Sequence, residues 1–405
     1  MQKIIIASFL VIVAGMSFFL TSDLQPTKKA TLPVESMVVE EGKMVSEEIN
    51  LTPPPIPLEK SIAAKEVAKP VKKPTTIQPT QSAPIASPAP NTESKKDESS
   101  AALTVPIGQF ALKQEWKNAI VNLFCTDSGG NIASGSGVIV DPRGVILTNA
   151  HVGESFLFAD WPKGNALYDC AVRIGSPAQP RYRAKLVYIP EKFVKDSVAS
   201  AFKPDDTGYE YGIGDYAILV VMARTNGAAL PLAFPSLEAS SVSLAAGSYT
   251  YILGYPASYL GGDAVQRDLY MLSSGATVHS TGSLGSVSSF VDEVSFLGTV
   301  AGQHGTSGGA VVAQGGILAA VPTFYSEVSG ATTNDNILSA ITIGYIDRDI
   351  KKDTGFSLEQ FIGRESLSAI ADTFLSGDAM KYRCMYVNVW EKKGFGVAGS
   401  DADCH

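Results

Sequence analysis

The chain has 405 residues, 45% of them hydrophobic, and a formal net charge of −8. That length and apolar content allow one or two sizeable cores, and an acidic balance without a long basic run argues against nucleic acid as a partner. The four cysteines and four histidines show no CxxC or HxxxH spacing, so no metal site and no cofactor is expected.

Met1-Gln2-Lys3 leads into an apolar run from Ile4 to Leu20. One lysine, this run and a polar sequel from Thr21 predict an export segment over 1–22, read as a signal anchor. A cleaved signal peptide is the alternative, with Leu20 and Ser22 as a mediocre small-x-small pair. The run is a little under the roughly 20 residues of a comfortable membrane span. Either way the remainder leaves the cytoplasm, to stay anchored at the cell envelope or, after cleavage, to be secreted. Residues 23–105 interleave Pro53-Pro54-Pro55, Pro57, Pro70, Pro74, Pro79, Pro84, Pro88 and Pro90 with Lys, Ser, Thr, Ala and Gln. Such a composition cannot offset its ordering entropy by burial, and it predicts a disordered, semi-stiff linker.

Globular sequence begins near Pro106. Helical spacing over Gln109–Asn118 gives way to strand patterns at Ala119–Cys125 and Ser134–Val140. Asp141-Pro142-Arg143-Gly144 then turns the chain into Val145–Thr148. Short strands with Gly-rich turns continue to about residue 345, the pattern of an all-β sandwich or barrel system. A protein domain over 106–350 and a tail over 351–405 follow. In the tail, Ser357–Leu375 reads as a helix and Met385–Trp390 as a strand.

Three segments carry chemistry. Leu147-Thr148-Asn149-Ala150-His151-Val152 places a histidine at the end of a buried strand among small residues. Asp215 opens the apolar run Tyr216–Met222 after the glycine-punctuated Tyr211-Gly212-Ile213-Gly214, where a carboxylate can be partly buried. Asp268, before Leu269–Leu272, is the second candidate. Gly302-Gln303-His304-Gly305-Thr306-Ser307-Gly308-Gly309 sets a serine among glycines. There a substrate carbonyl can approach closely and successive backbone N–H groups can converge on a developing oxyanion. A serine needs a base to become a nucleophile, and the base needs an acid to orient it. The order His151, Asp215, Ser307 differs from Ser, acid, His in the α/β-hydrolases and from Asp, His, Ser in the subtilisin type.

In that order, Thr148-Asn149-Ala150-His151-Val152, Gly214-Asp215-Tyr216-Ala217-Ile218-Leu219 and Gly305-Thr306-Ser307-Gly308-Gly309 resemble the catalytic segments of trypsin-like, chymotrypsin-fold serine proteases of the bacterial HtrA-like kind. Ser134–Gly144 and Ile252-Leu253-Gly254-Tyr255-Pro256 are similar to strands and turns of that family. The resemblance covers about 117–345. It implies two antiparallel six-stranded β-barrels with a cleft between them and a C-terminal helix packed on the second barrel. It further implies His151 as general base and then acid, Asp215 as its orienting carboxylate, Ser307 as nucleophile, and the N–H groups of Gly305 and Ser307 as oxyanion hole. By the same resemblance Ala301 would fall at the base of the substrate pocket, Ala320, Val321 and Pro322 on the facing strand, and His304 at the rim. No carboxylate stands there for Lys or Arg, so a small or apolar side chain is the expected preference, with an acidic one the alternative through His304.

Thr306 stands where zymogen-activated trypsins carry an aspartate, so activation by a new N-terminus is not expected. The tail is too short for the PDZ domain that usually follows in HtrA-like enzymes. Pairing of Cys125 with Cys170 and of Cys384 with Cys404 is favoured among the connectivities open to an exported chain. The implied function is an exported, membrane-tethered serine endopeptidase acting on proteins or peptides. A homo-oligomer, a trimer, is expected if HtrA-like behaviour carries over. An inactive protease-like scaffold and an esterase are the alternatives.

Overall fold

A computed structural model describes residues 103–104, 108–200, 212–257, 260, 262–285, 289–299, 301–326, 337–397 and Cys404. The expected export segment and Pro-rich linker lie outside them. Among the described residues no helix is long and apolar enough to cross a membrane.

Strand β1 (Leu103–Thr104) precedes a single helical turn, α1 (Gln114–Lys117). β2 (Ile120–Asp127), β3 (Ile132–Asp141) and β4 (Val145–Thr148) follow, then α2 (Ala150–Gly153) and a 3₁₀ turn, Glu154–Leu157. β5 (Tyr168–Ile174), β6 (Gln179–Tyr188), α3 (Glu191–Ser200) and β7 (Ala217–Arg224) complete this half. The strands close into a barrel in the order β2-β3-β4-β7-β6-β5. The Asp141–Gly144 turn forms as expected, with the Gly144 N–H donating to the Asp141 carbonyl at 2.9 Å. Cys125 and Cys170 face each other across β2 and β5 and are disulfide-bonded.

The second half begins with β8 (Val242–Ser243), which pairs with β1, and β9 (Tyr249–Gly254). Then come α4 (Gly262–Arg267), β10 (Leu272–Thr277), β11 (Ser280–Gly282), β12 (Glu293–Leu297), β13 (Ala310–Ala313), β14 (Ile317–Ser326) and β15 (Ile337–Thr342). These make a seven-stranded sheet, β10-β9-β13-β14-β15-β12-β11. It is a half-barrel where the expectation was a second six-stranded barrel. The all-β, chymotrypsin-like architecture holds.

Apolar side chains form a core inside each half and a third between them. The one between joins Val138, Val145 and Leu147 of the first half to Leu253, Val312 and Ile341 of the second. Burial on this scale is the dominant favourable term in holding the halves together.

The C-terminal region differs most from expectation. α5 (Ile343–Thr354) starts at Thr342, whose side chain accepts from the Tyr345 N–H, and stops at left-handed Gly355. α6 (Leu358–Ile362) opens on a capping box between Ser357 and Gln360. α7 (Leu367–Ser376) follows, so the single helix expected over Ser357–Leu375 is broken between α6 and α7. Met385–Trp390, expected as a strand, lies inside α8 (Asp378–Lys392). Its β-branched and aromatic residues favour strand locally, but Ala379, Tyr382, Tyr386, Val389 and Trp390 fall at helical spacing and are all buried. Tertiary burial of that face outweighs propensity. Packing also departs from expectation: α5 lies on β14 and β15 of the second half, whereas α7 lies on β6 and α8 on α3 of the first. The Cys384–Cys404 disulfide fastens the chain end to α8.

Candidate active site

His151 sits in α2, immediately after β4 delivers the chain to the barrel rim. Its backbone N–H donates to Asp215 Oδ1 at 3.0 Å, and its ring Nδ1 lies 3.1 Å from Oδ1 and 2.9 Å from Oδ2. Asp215 is only 4% exposed. Its segment is fixed by two further bonds. Asn149 Nδ2 donates to the Asp215 carbonyl at 2.9 Å, and the Gly214 N–H donates to Tyr345 Oη of α5 at 2.9 Å. Asp268, the second candidate, is exposed at the end of α4.

A buried carboxylate needs donors. Besides His151, Thr323 Oγ1 donates to Asp215 Oδ2. Thr323 occupies a bulge in β14, where the register against β15 shifts between Pro322 and Phe324. The bulge takes Thr323 out of the ladder and aims its hydroxyl across the cleft. The Thr323 carbonyl in turn accepts from Ser307 Oγ at 3.4 Å. Thr323 thus touches both the acid and the serine.

The Ser307 turn is built by close approach. Gly308 has φ +82, and a Cβ there would lie 2.2 Å from the Ser136 carbonyl and 2.2 Å from Thr148 Oγ1. Gly305 has φ +97, and its Cβ would meet the Tyr255 carbonyl at 2.6 Å. Only glycine fits either position. The His304 carbonyl accepts from the Ala257 N–H at 2.8 Å and the Thr306 carbonyl from the Gly309 N–H at 2.8 Å. In a trans peptide the N–H points opposite the preceding carbonyl, so the Gly305 and Ser307 N–H groups are turned away from those partners. Ser136 of β3 latches the turn to the first barrel. Its N–H donates to the Ser307 carbonyl at 2.8 Å, and its Oγ to the Gly305 carbonyl at 2.7 Å.

Electrostatics follow from this packing. Burial pushes the His151 imidazole down, but the Asp215 charge beside it, their hydrogen bond and the charge of Glu154 together hold it above the ordinary range. Burial likewise pushes Asp215 up. The His151 charge and the bonds from His151 and Thr323 outweigh it, leaving the carboxyl below the usual range.

Of the residues expected around the substrate, Ala301 is fully buried and its carbonyl accepts from Thr306 Oγ1. Pro322 is adjacent to the serine turn, its carbonyl accepting from the Gly308 N–H at 2.9 Å. His304 is half-buried beside Gly305. Ala320 and Val321 are fully buried within the cores. Sequence reasoning missed Thr323, Ser136 and Glu154. The Ser-Gly-Ser-Gly opening of β3 signalled Ser136, since small residues permit close backbone approach. Thr323 gave no local signal, because the bulge depends on pairing with β15.

Residues 135–321 match the family model of the trypsin-like peptidase domain. That stretch is similar to the trypsin-like peptidase domain, and its class is that of the serine endopeptidases, which are hydrolases. Among solved structures it is similar to the serine endoprotease from Yersinia pestis, at 19% identity and TM-score 0.37, covering 61% of this chain and 70% of that one. It is also similar to the HtrA-type protease AlgW with tripeptide, at 19% identity and TM-score 0.36, covering 59% of this chain and 62% of that one. The match therefore spans less than two thirds of AlgW. No curated protein matches the chain.

Proposed function

We propose that the chain is an exported serine endopeptidase, tethered to the membrane through Ile4–Leu20, that cleaves proteins or peptides with His151, Asp215 and Ser307. What supports this reading most directly is the Asp215 carboxylate, which holds His151 Nδ1 on one side and Thr323 on the other.

With Nδ1 committed to Asp215, Nε2 is the free basic nitrogen of the neutral ring. Rotation of Ser307 away from the Thr323 carbonyl brings Oγ to Nε2, which takes its proton as Oγ attacks the substrate carbonyl. Negative charge moves to the carbonyl oxygen, and the Gly305 and Ser307 N–H groups stabilise it. The imidazolium, balanced by Asp215, then gives its proton to the leaving amine. Water repeats the sequence on the acyl-enzyme and releases Ser307.

The full chain incubated with an unfolded protein and, in parallel, with a simple ester tests this reading. Peptide-bond cleavage that disappears in Ser307→Ala is expected. Ester turnover without peptide cleavage would replace the endopeptidase with an esterase, and neither activity in a folded chain would favour a scaffold.

A further inference from the structure

One turn after His151 lies a second carboxylate that the triad does not use. Glu154 follows the histidine by one helical turn, at the junction of α2 and the 3₁₀ turn, so the two side chains share a face. It is 8% exposed. Tyr386 Oη of α8 donates to its Oε2 at 2.8 Å, and Ser197 Oγ of α3 approaches the same oxygen at 3.5 Å. The charged and titratable groups that act on it are His151, Asp215 of the β7 side and Tyr168 of β5. Arg383, the cation that α8 brings to this turn, donates instead to the Leu157 carbonyl and to Asp160. Helix α8 therefore grips the turn at both ends, through Tyr386 at Glu154 and through Arg383 at Leu157.

A buried carboxyl costs free energy unless it is put to use or neutralised, and a glutamine of the same shape would satisfy Tyr386 equally well. We propose that Glu154 is a positioning residue for His151, a buried carboxyl one turn after it, held by Tyr386 of the C-terminal helix, which sets the electrostatic environment of the imidazole. The inference rests on the serine-endopeptidase reading for its role in turnover. Burial pushes the Glu154 carboxyl up to about 7, against the hydrogen bond from Tyr386 and the charge of His151. Each group bears on the other: the charge of His151 lowers the Glu154 carboxyl, and the charge of Glu154 raises the His151 imidazole. The negative form of Glu154 favours imidazolium, and the Tyr386 hydrogen bond favours the negative form. The C-terminal helix thereby acts on His151 through Glu154.

The test is the titration of the His151 ring by NMR in the full chain carrying Ser307→Ala, with histidine-selective labelling and assignment by loss of the signal in His151→Ala. In Glu154→Gln the His151 titration moves to lower pH. In Tyr386→Phe it moves the same way by less, and the double variant matches Glu154→Gln alone. With Ser307 restored, both variants keep relatively more activity on the acid side, roughly two- to fivefold relative to their plateaus, as a modest shift in titration requires. An unchanged His151 titration in Glu154→Gln, with or without a fall in thermal stability, overturns the inference and leaves Glu154 a packing residue. Because the titration is read without turnover, failure of the endopeptidase reading would show separately, as absent cleavage with Ser307 in place.

Discussion

The two halves of the fold hold their share of the site in opposite ways. The first is a closed barrel, stapled by Cys125–Cys170 and backed by α7 and α8, and it carries a half-buried His151 against a buried Asp215. The second is an open sheet, and it carries Ser307 on a glycine turn stabilised from outside its own sheet, by Ser136. His151 and Asp215 are therefore held largely by their own barrel, with Thr323 and Tyr345 reaching in from the second half, whereas Ser307 is positioned by contact between halves. Damage around His151 and Asp215 should act chiefly through protonation, and damage to the Ser307 turn and its Ser136 latch through geometry.

The largest effects test the division itself. Ser307→Ala and His151→Ala should each lower kcat by about 10⁴–10⁶ with little change in melting temperature, since groups acting as a unit are lost together. Gly308→Ala should cost about 3 kcal/mol or more of stability and nearly all activity. The added methyl collides with Ser136 and Thr148, which join the halves. Thr323→Val removes the hydroxyl that bridges to Asp215 from the second half. A tenfold to hundredfold loss is expected, about the worth of one hydrogen bond to a charged group. Ser136→Ala should cost about tenfold in kcat, with KM nearly unchanged, if the latch serves the turn and not the substrate.

Smaller effects belong to pH. Because Asp215 holds His151 above the ordinary imidazole range, activity should fall as pH drops through that raised value, where the base becomes protonated. Glu154 gives the stability counterpart. Its folded carboxyl titrates near 7 against an ordinary value of 4.5. Its contribution to stability is therefore fully present below the ordinary value and is lost as pH rises through 7. Glu154→Gln should accordingly gain stability relative to wild type as pH rises from 5 to 8, on the order of 1–3 kcal/mol, measurable by thermal unfolding across that range.

What could be read from the sequence were the features written in local residue types. The glycines around Ser307, the strand runs before His151 and after Asp215, and both cysteine pairs mark backbone geometry and chemistry directly. The C-terminal region could not be read in the same way. Met385–Trp390 looks like a strand to its nearest neighbours, and only burial against the first barrel makes it helix α8. Thr323 and Tyr386 were invisible for a related reason. Each acquires its role from a partner far along the chain, Asp215 and Glu154 respectively, so no spacing rule connects them.

The most direct measurement is covalent labelling of the full chain with a fluorophosphonate, followed by mass-spectrometric mapping of the modified residue. The account predicts a single adduct on Ser307, absent in His151→Ala and strongly slowed in Thr323→Val. A well-folded chain that is not labelled, or is labelled equally without His151, would contradict it.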